Sequence, residues 1–442
     1  VVWWNTIAEA ETLQQRAERQ QKIELFQQSR SKFEEALSII AVPEYPTLGI
    51  SPDQVHDCRC LLAEVLQNTA ELLLRMWAED CRGATTIQGV LGDYTIENEF
   101  SVFSNASSLF SAAVEQYRAT VTDATQLDSM RVDCLVNLGN TLAGHASLYT
   151  DMLKEKMIGN DCVVVARRMF VDSRTCYDSA ILKEDDSATW NNRADMLIDH
   201  AEFETEFGND ADSTYEASIQ SYGKACELCS SAHGDNLSAL LNDWGSGLLS
   251  VATYVKDVKM DRSASQNILL EAEKRLLDSV SFDRASTAPH AALGDVYMSM
   301  SENLFEMGDV NNAMVILQKA LDDGYGMALR IQRTYTDALV GVAEAMAWKA
   351  KMLQKQGLLQ DARSSLETSV SMYQQVISSG KLSGTLRERS DLLYNLACCL
   401  CGIPDRQQEA VEILELLCSK QLVSKEEILQ DTDLKALYEL LN

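Results

Sequence analysis

Six short stretches carry one helical signature along the chain, and no other feature constrains the fold as much. "CLVNLGNTLAGHA" holds Leu135, Leu138, Gly139 and Leu142; "WNNRADMLIDHA" holds Trp190, Arg193, Ala194 and Leu197. "LNDWGSGLLSVA" holds Leu241, Trp244, Gly245 and Leu248; "HAALGDVYMSM" holds His290, Leu293, Gly294 and Tyr297. "DALVGVAEAMA" holds Asp337, Val340, Gly341 and Glu344; "LYNLACCLCG" holds Leu393, Leu396, Ala397 and Leu400. Each sets a side chain, usually large, three residues before a second one, then Gly or Ala, then another residue three positions on. The copy ending in Glu344 fits least well. That spacing lays a small residue on a stripe of bulky ones, where a neighbouring helix backbone can come close. The small positions lie 55, 51, 49, 47 and 56 residues apart. A globular enzyme has no reason to keep such an interval, whereas stacked hairpins do, because each must bury its apolar face on the next.

A second helix follows, marked small, large, small at intervals of four and three. Examples are Ser173, Tyr177, Ala180; Ser218, Tyr222, Ala225; Ala313, Leu317, Ala320; Ala362, Leu366, Ser369; and Ala410, Leu414, Leu417. One helix face carries such a series. The turns "EMGD", "KQGL" and "CGIPDRQ" supply the Gly or Pro that ends a helix. Five prolines in 442 residues leave long stretches without a breaker, which predicts an all-α chain.

The two series together resemble the tetratricopeptide repeat (TPR). That family's first helix carries Trp/Leu, Leu, Gly, Tyr and its second Ala, Phe/Tyr, Ala. "HAALGDVY" and "WNNRADML" match the first, "NNAMVILQKAL" and "YEASIQSYGKAC" the second. The resemblance implies a right-handed superhelix, an α-solenoid of antiparallel helix pairs. The family repeat is about 34 residues, against a period near 50 in this chain. The extra length is expected in longer helices and in the turns, with protruding arms or widened concave walls as the result. The expected organisation is divergent TPR-like hairpins over 1–134, a solenoid core over 135–421 and capping helices over 422–442. In the last segment Ser424 and Glu427 form a capping-box pattern, and Leu434, Leu437 and Leu441 are expected to lid the final apolar face.

In the resembling family the first helices line a concave wall that takes an extended peptide or a partner helix. Asn140, Asn191, Asp195, Asn242 and Asp295 each follow a signature position, so they are expected to point off the buried stripe into that wall. Asn can both donate to and accept from a peptide backbone, and Asp195 and Asp295 would favour Lys or Arg. Family members that clamp chaperone carboxylates use Lys and Arg at comparable slots, so that mode of docking is not expected. Trp3 and Trp4 cannot share one helical stripe, which makes them a candidate partner anchor.

Charge points the same way. The formal net charge is −28, and residues 183–243 hold 14 acidic against 3 basic side chains. Such a field repels phosphate backbones, which argues against a nucleic-acid role and for a basic protein partner. For the acidic run itself the first reading is a solvated face that keeps a long helical chain soluble, and the second is a surface for a basic partner. No run reaches the length of a membrane span, and oligomeric state is not legible.

Chemistry is not expected. There is no Walker loop, dinucleotide fingerprint, His-Glu-x-x-His or nucleophile elbow. His56, His145, His200, His233 and His290 are scattered, and a site could be assembled from them only by the fold. Cys226, Cys229 and His233 offer no fourth ligand, and Cys398, Cys399 and Cys401 lie far away, so no metal and no cofactor are expected. The 12 cysteines read as small core residues of a reducing intracellular compartment. Together these features predict a non-enzymatic interaction scaffold or assembly factor, with a permanent subunit of a large complex as the alternative.

Overall fold

The structure is a computed structural model describing residues 22–38, 52–79, 86–92, 95–121, 128–229, 234–380, 382 and 384–437. Trp3, Trp4, His233 and Leu441 lie outside the described residues. Every regular element among those described is helical. The elements are α1 (22–38), α2 (Pro52–Glu79), α3 (Ile87–Leu91), α4 (Ile96–Val121), α5 (Asp128–Lys154), α6 (Val163–Ile181), α7 (Ser187–Glu206), α8 (Asp212–Cys229) and α9 (Gly234–Asp257). Then come α10 (Arg262–Phe282), α11 (Ala288–Glu306), α12 (Val310–Lys319), α13 (Tyr325–Ile331), α14 (Thr336–Lys355), α15 (Leu359–Ser378), α16 (Leu386–Cys401), α17 (Gln407–Ser419) and α18 (Lys425–Gln430).

Contacts divide the chain into two units, Val1–Ala78 with Ile96–Ser231, and Glu79–Thr95 with Ala232–Asn442. The division cuts across the repeat segment 135–421, whose bounds follow signature copies and not contact density. In the first unit α4 packs on α5, α5 on α6, α6 on α7 and α7 on α8. In the second, α9 pairs with α10, α11 with α12, α14 with α15 and α16 with α17. Sequence neighbours are thus spatial neighbours, as a row of hairpins requires.

Local signals explain where the helices begin and end. Asp186, Asp261 and Asp309 accept hydrogen bonds from the backbone N–H three residues on, at 2.9, 2.9 and 3.2 Å. Thr385 with Glu388 and Ser424 with Glu427 close full capping boxes at the starts of α16 and α18. After α7, α11 and α14 the chain turns through Gly208, Gly308 and Gly357 at φ +78°, +90° and +77°. Nothing lies within 4 Å of where their Cβ atoms would be, so backbone conformation alone requires glycine there.

The signature positions form the helix contacts. Among the small positions, Ala194 and Ala397 are fully covered, and Gly139, Gly245, Gly294 and Gly341 are buried. A Cβ on Gly245 would lie 2.5 Å from the Leu276 side chain of α10, and one on Gly139 would lie 3.1 Å from the Tyr177 ring of α6. Second-helix hydroxyls complete these joints: Ser173 donates to the Gly139 carbonyl at 2.8 Å and Ser218 to that of Ala194 at 2.9 Å.

The extra length lies in long helices and tight turns, as expected, with α5 running 27 residues and α9 24; the stretches read as protruding arms belong to these hairpins. The helix after α11 is not continuous: Ala320–Gly324 form a π turn between α12 and α13. A Cβ on Gly324 would lie 2.5 Å from the Gly294 Cα, so the two backbones are in contact and the wider turn lets α13 continue past them. At the end of the chain Ile428, Leu434 and Leu437 are buried, as a lid on an apolar face requires.

Candidate peptide-binding walls

In the first unit the wall residues Asn140, Asn191 and Asp195 stand on α5 and α7. Asn140 accepts the Tyr177 hydroxyl at 2.5 Å, and Asp195 accepts the Tyr222 hydroxyl at 2.6 Å and the Asn191 amide at 3.2 Å. The repeated tyrosine of the second helix therefore reaches through the hairpin to the residue after the small position. One turn beyond Asp195, Asp199 accepts from Ser147 of α5 at 3.0 Å. Its crowded setting raises its carboxyl above the usual range, with the Ser147 bond opposing.

In the second unit the wall residues are Asn242 on α9 and Asp295 on α11. Asn242 is half-buried; its amide approaches Asp243 at 3.3 Å, and its Oδ1 has no partner among the described residues. Asp295 accepts the Tyr325 hydroxyl of α13 at 2.7 Å, repeating the geometry of Asp195 with Tyr222. Asp295 is exposed, yet protein atoms lie close about its carboxyl. Desolvation pushes its carboxyl up to about 6; the Tyr325 bond opposes the rise and the Asp337 charge adds to it. Glu344 of α14 is likewise accessible and pushed up to about 7, by crowding first and then by the charges of Asp295 and Glu302.

The sequence named Asp295 but passed over Glu344 and Asp337. Both occupy large-residue slots of the repeat copy that fits worst, and that misfit is the signal they left. The carboxylate at the position equivalent to Tyr297 is exposed where the tyrosine is buried. Glu302, about two turns beyond Asp295 on α11, is bridged by Lys256 of α9 at 3.1 Å.

Among the remaining candidates His145, His200 and Cys399 are buried and Cys398 is half-buried. His145 stacks on Phe110 at 5.6 Å and bonds Ser107 at 2.9 Å, and burial pushes it down to about 4. His200 stacks on Phe170 at 5.0 Å. Burial raises the Cys398 thiol well above its ordinary value and Cys399 to about 11, which leaves both poor nucleophiles. The Arg275 guanidinium lies 3.8 Å from the Trp244 ring centroid. No helix among the described residues is long and apolar enough to cross a membrane.

No protein-family model and no curated protein matches the chain. Solved structures with a similar arrangement include the nuclear import adaptor Nro1 of S. pombe, at 14% identity and TM-score 0.42, covering 74% of this chain and 98% of that one. Pseudomonas aeruginosa pilF is similar at 13% identity and TM-score 0.30, over 68% of this chain and 99% of its own. A tetratricopeptide repeat protein of Parabacteroides merdae is similar at 11% identity and TM-score 0.28, over 80% of this chain and 100% of its own. At such identities the likeness concerns the arrangement of helices.

Proposed function

We propose that this chain is a non-enzymatic protein-interaction scaffold, and that the wall formed by α11 and α14 takes a Lys- or Arg-bearing segment of a basic partner. The observation that carries this reading is the pair Asp295 and Glu344. Both are open to water, both are raised well above ordinary carboxylates, and both are raised further by neighbouring carboxylates. A carboxyl in that condition lacks a countercharge, and an incoming guanidinium or ammonium supplies one. The Tyr325 bond holds Asp295 in one orientation, so little side-chain entropy remains to be lost on binding. In the first unit, Asn140 and Asp195 are held by tyrosines in the same manner, which supports a similar role for that wall.

The test is fluorescence anisotropy of a labelled Arg/Lys-rich peptide at low and physiological ionic strength. Wild type is expected to bind it with an affinity that falls with salt. Asp295→Asn with Glu344→Gln keeps the shape and one acceptor oxygen of each side chain while removing both charges, and should weaken binding by about tenfold or more. Equal affinity of the two proteins, with matching thermal melts, would overturn the assignment.

A further inference from the structure

The first unit holds a convergence of soft ligands that the interaction walls do not use. His56 and Cys60 are four residues apart on α2, so they share one helix face. Cys134 arrives from α5. The Cys60 and Cys134 sulfurs are 2.8 Å apart, and each lies 3.6 Å from the His56 Nε2. His56 and Cys134 are both 4% exposed, while Cys60 is half-buried and leaves one side open. We propose that His56, Cys60 and Cys134 form a binding site for one thiophilic d10 metal ion, for which Zn²⁺ is the probe, stapling α2 to α5.

Geometry supports the choice. With Zn–S about 2.3 Å and Zn–N about 2.0 Å, a tetrahedral ion sets sulfur and nitrogen about 3.6 Å apart and two sulfurs about 3.8 Å apart. The two sulfur–nitrogen edges already stand at that value. Only the sulfur–sulfur edge must open, by about 1 Å, and the half-buried Cys60 is the side chain with room to turn. The charge setting agrees as well: the carboxylates of Asp57 and Asp133 lie near both cysteines, and a divalent ion offsets the negative charge that two thiolates would add there. Binding consumes no oxidant: Zn²⁺ replaces the two thiol protons, which leave to solvent, and neutral His56 donates its Nε2 lone pair. Water fills the fourth position.

The experiment uses the full chain, reduced, stripped with a chelator and kept under argon. Titration with Zn²⁺ against a chromophoric competitor should give one ion per chain, with close to two protons released at a pH below the thiol range. Co²⁺ in place of Zn²⁺ should give a thiolate-to-metal charge-transfer band. Cys60→Ser should weaken Zn²⁺ binding by about 100-fold, whereas Cys226→Ser with Cys229→Ser should leave it unchanged. No band and no proton release in the wild-type chain would overturn the site, a result that does not depend on any variant folding. A band of undiminished intensity and unchanged Co²⁺ affinity in Cys60→Ser would also overturn it. So would a Cys60–Cys134 disulfide found by peptide mapping of the argon-purified chain. None of these readings bears on the α11–α14 wall, which belongs to the other unit.

Discussion

Gly294 gives up a side chain so that the Tyr325 ring can lie against its Cα, and the same ring then lies against Gly341 on the next hairpin. One aromatic side chain thus occupies two notches, on α11 and α14, while its hydroxyl donates to Asp295 at 2.7 Å. Packing and the candidate wall are joined at this residue.

An alanine at either notch should therefore be costly. A methyl on Gly294 or Gly341 would drive into the ring of Tyr325, which is 2% exposed. Gly294→Ala and Gly341→Ala should each lower stability by about 1–3 kcal/mol, the usual cost of overpacking. Gly308→Ala should also destabilise, but through its positive φ and not through contact. Urea denaturation of the three variants checks this, and Gly294→Ala with Tyr325→Leu should recover part of the loss.

Removing only the hydroxyl isolates its second duty. Tyr325→Phe keeps the ring in both notches and should cost about 1 kcal/mol. Because the Tyr325 bond opposes the rise of the Asp295 carboxyl, that carboxyl should titrate at a higher pH in the variant. Carbon-detected NMR titration of the Asp side chains reads this directly. An unchanged Asp295 titration would mean that the bond does not orient the carboxylate.

Which features were legible follows from how local each one is. The small notches of the first helices, such as Gly139 and Ala194, are visible because their neighbours at three and four residues travel with them. The partner of a notch is harder to find when the helix between is irregular. Ala320 completes the small-large-small series on paper, yet the π turn at Ala320–Gly324 brings Tyr325 to the joint instead. Distance along the chain hides other contacts altogether. Nothing in "IQGVL" announces that α3 packs on α16, and His56-x-x-x-Cys60 does not indicate Cys134, 74 residues further on.

The pH response of the second unit follows from the two raised carboxyls. Folding lifts Asp295 to about 6 and Glu344 to about 7, above their unfolded values near 4. The folded state therefore binds more protons than the unfolded state through that window. Their contribution is fully present below about pH 4 and is lost as pH rises through about 6 and 7. Thermal melts should fall between pH 5 and pH 8, and less steeply in Asp295→Asn with Glu344→Gln. Binding of a basic peptide should run the opposite way, tightening as the carboxyls ionise.

Arg389 tests how a five-residue helix can persist at all. An isolated helix of that length cannot offset its own nucleation, so α3 must be held from outside. The Arg389 side chain on α16 is completely buried and donates Nη1 to the Val90 carbonyl at 3.0 Å and Nε to the Thr385 carbonyl at 3.2 Å. Lys420 donates to the Gly92 carbonyl from the far end of α17. Arg389→Met fills much of the same volume but leaves the Val90 carbonyl without this donor, at about 1–3 kcal/mol. The loss should appear first in α3: exchange of the Val90 and Gly92 amides, which bond Thr86 and Gln88 at 2.9 and 2.8 Å, should speed up well before that of α16. Lys420→Ala should do the same more weakly, because its ammonium is only partly buried. If both variants left α3 exchange untouched, apolar contact of Val90 and Leu91 alone would be holding the helix, and the buried guanidinium would have no anchoring role.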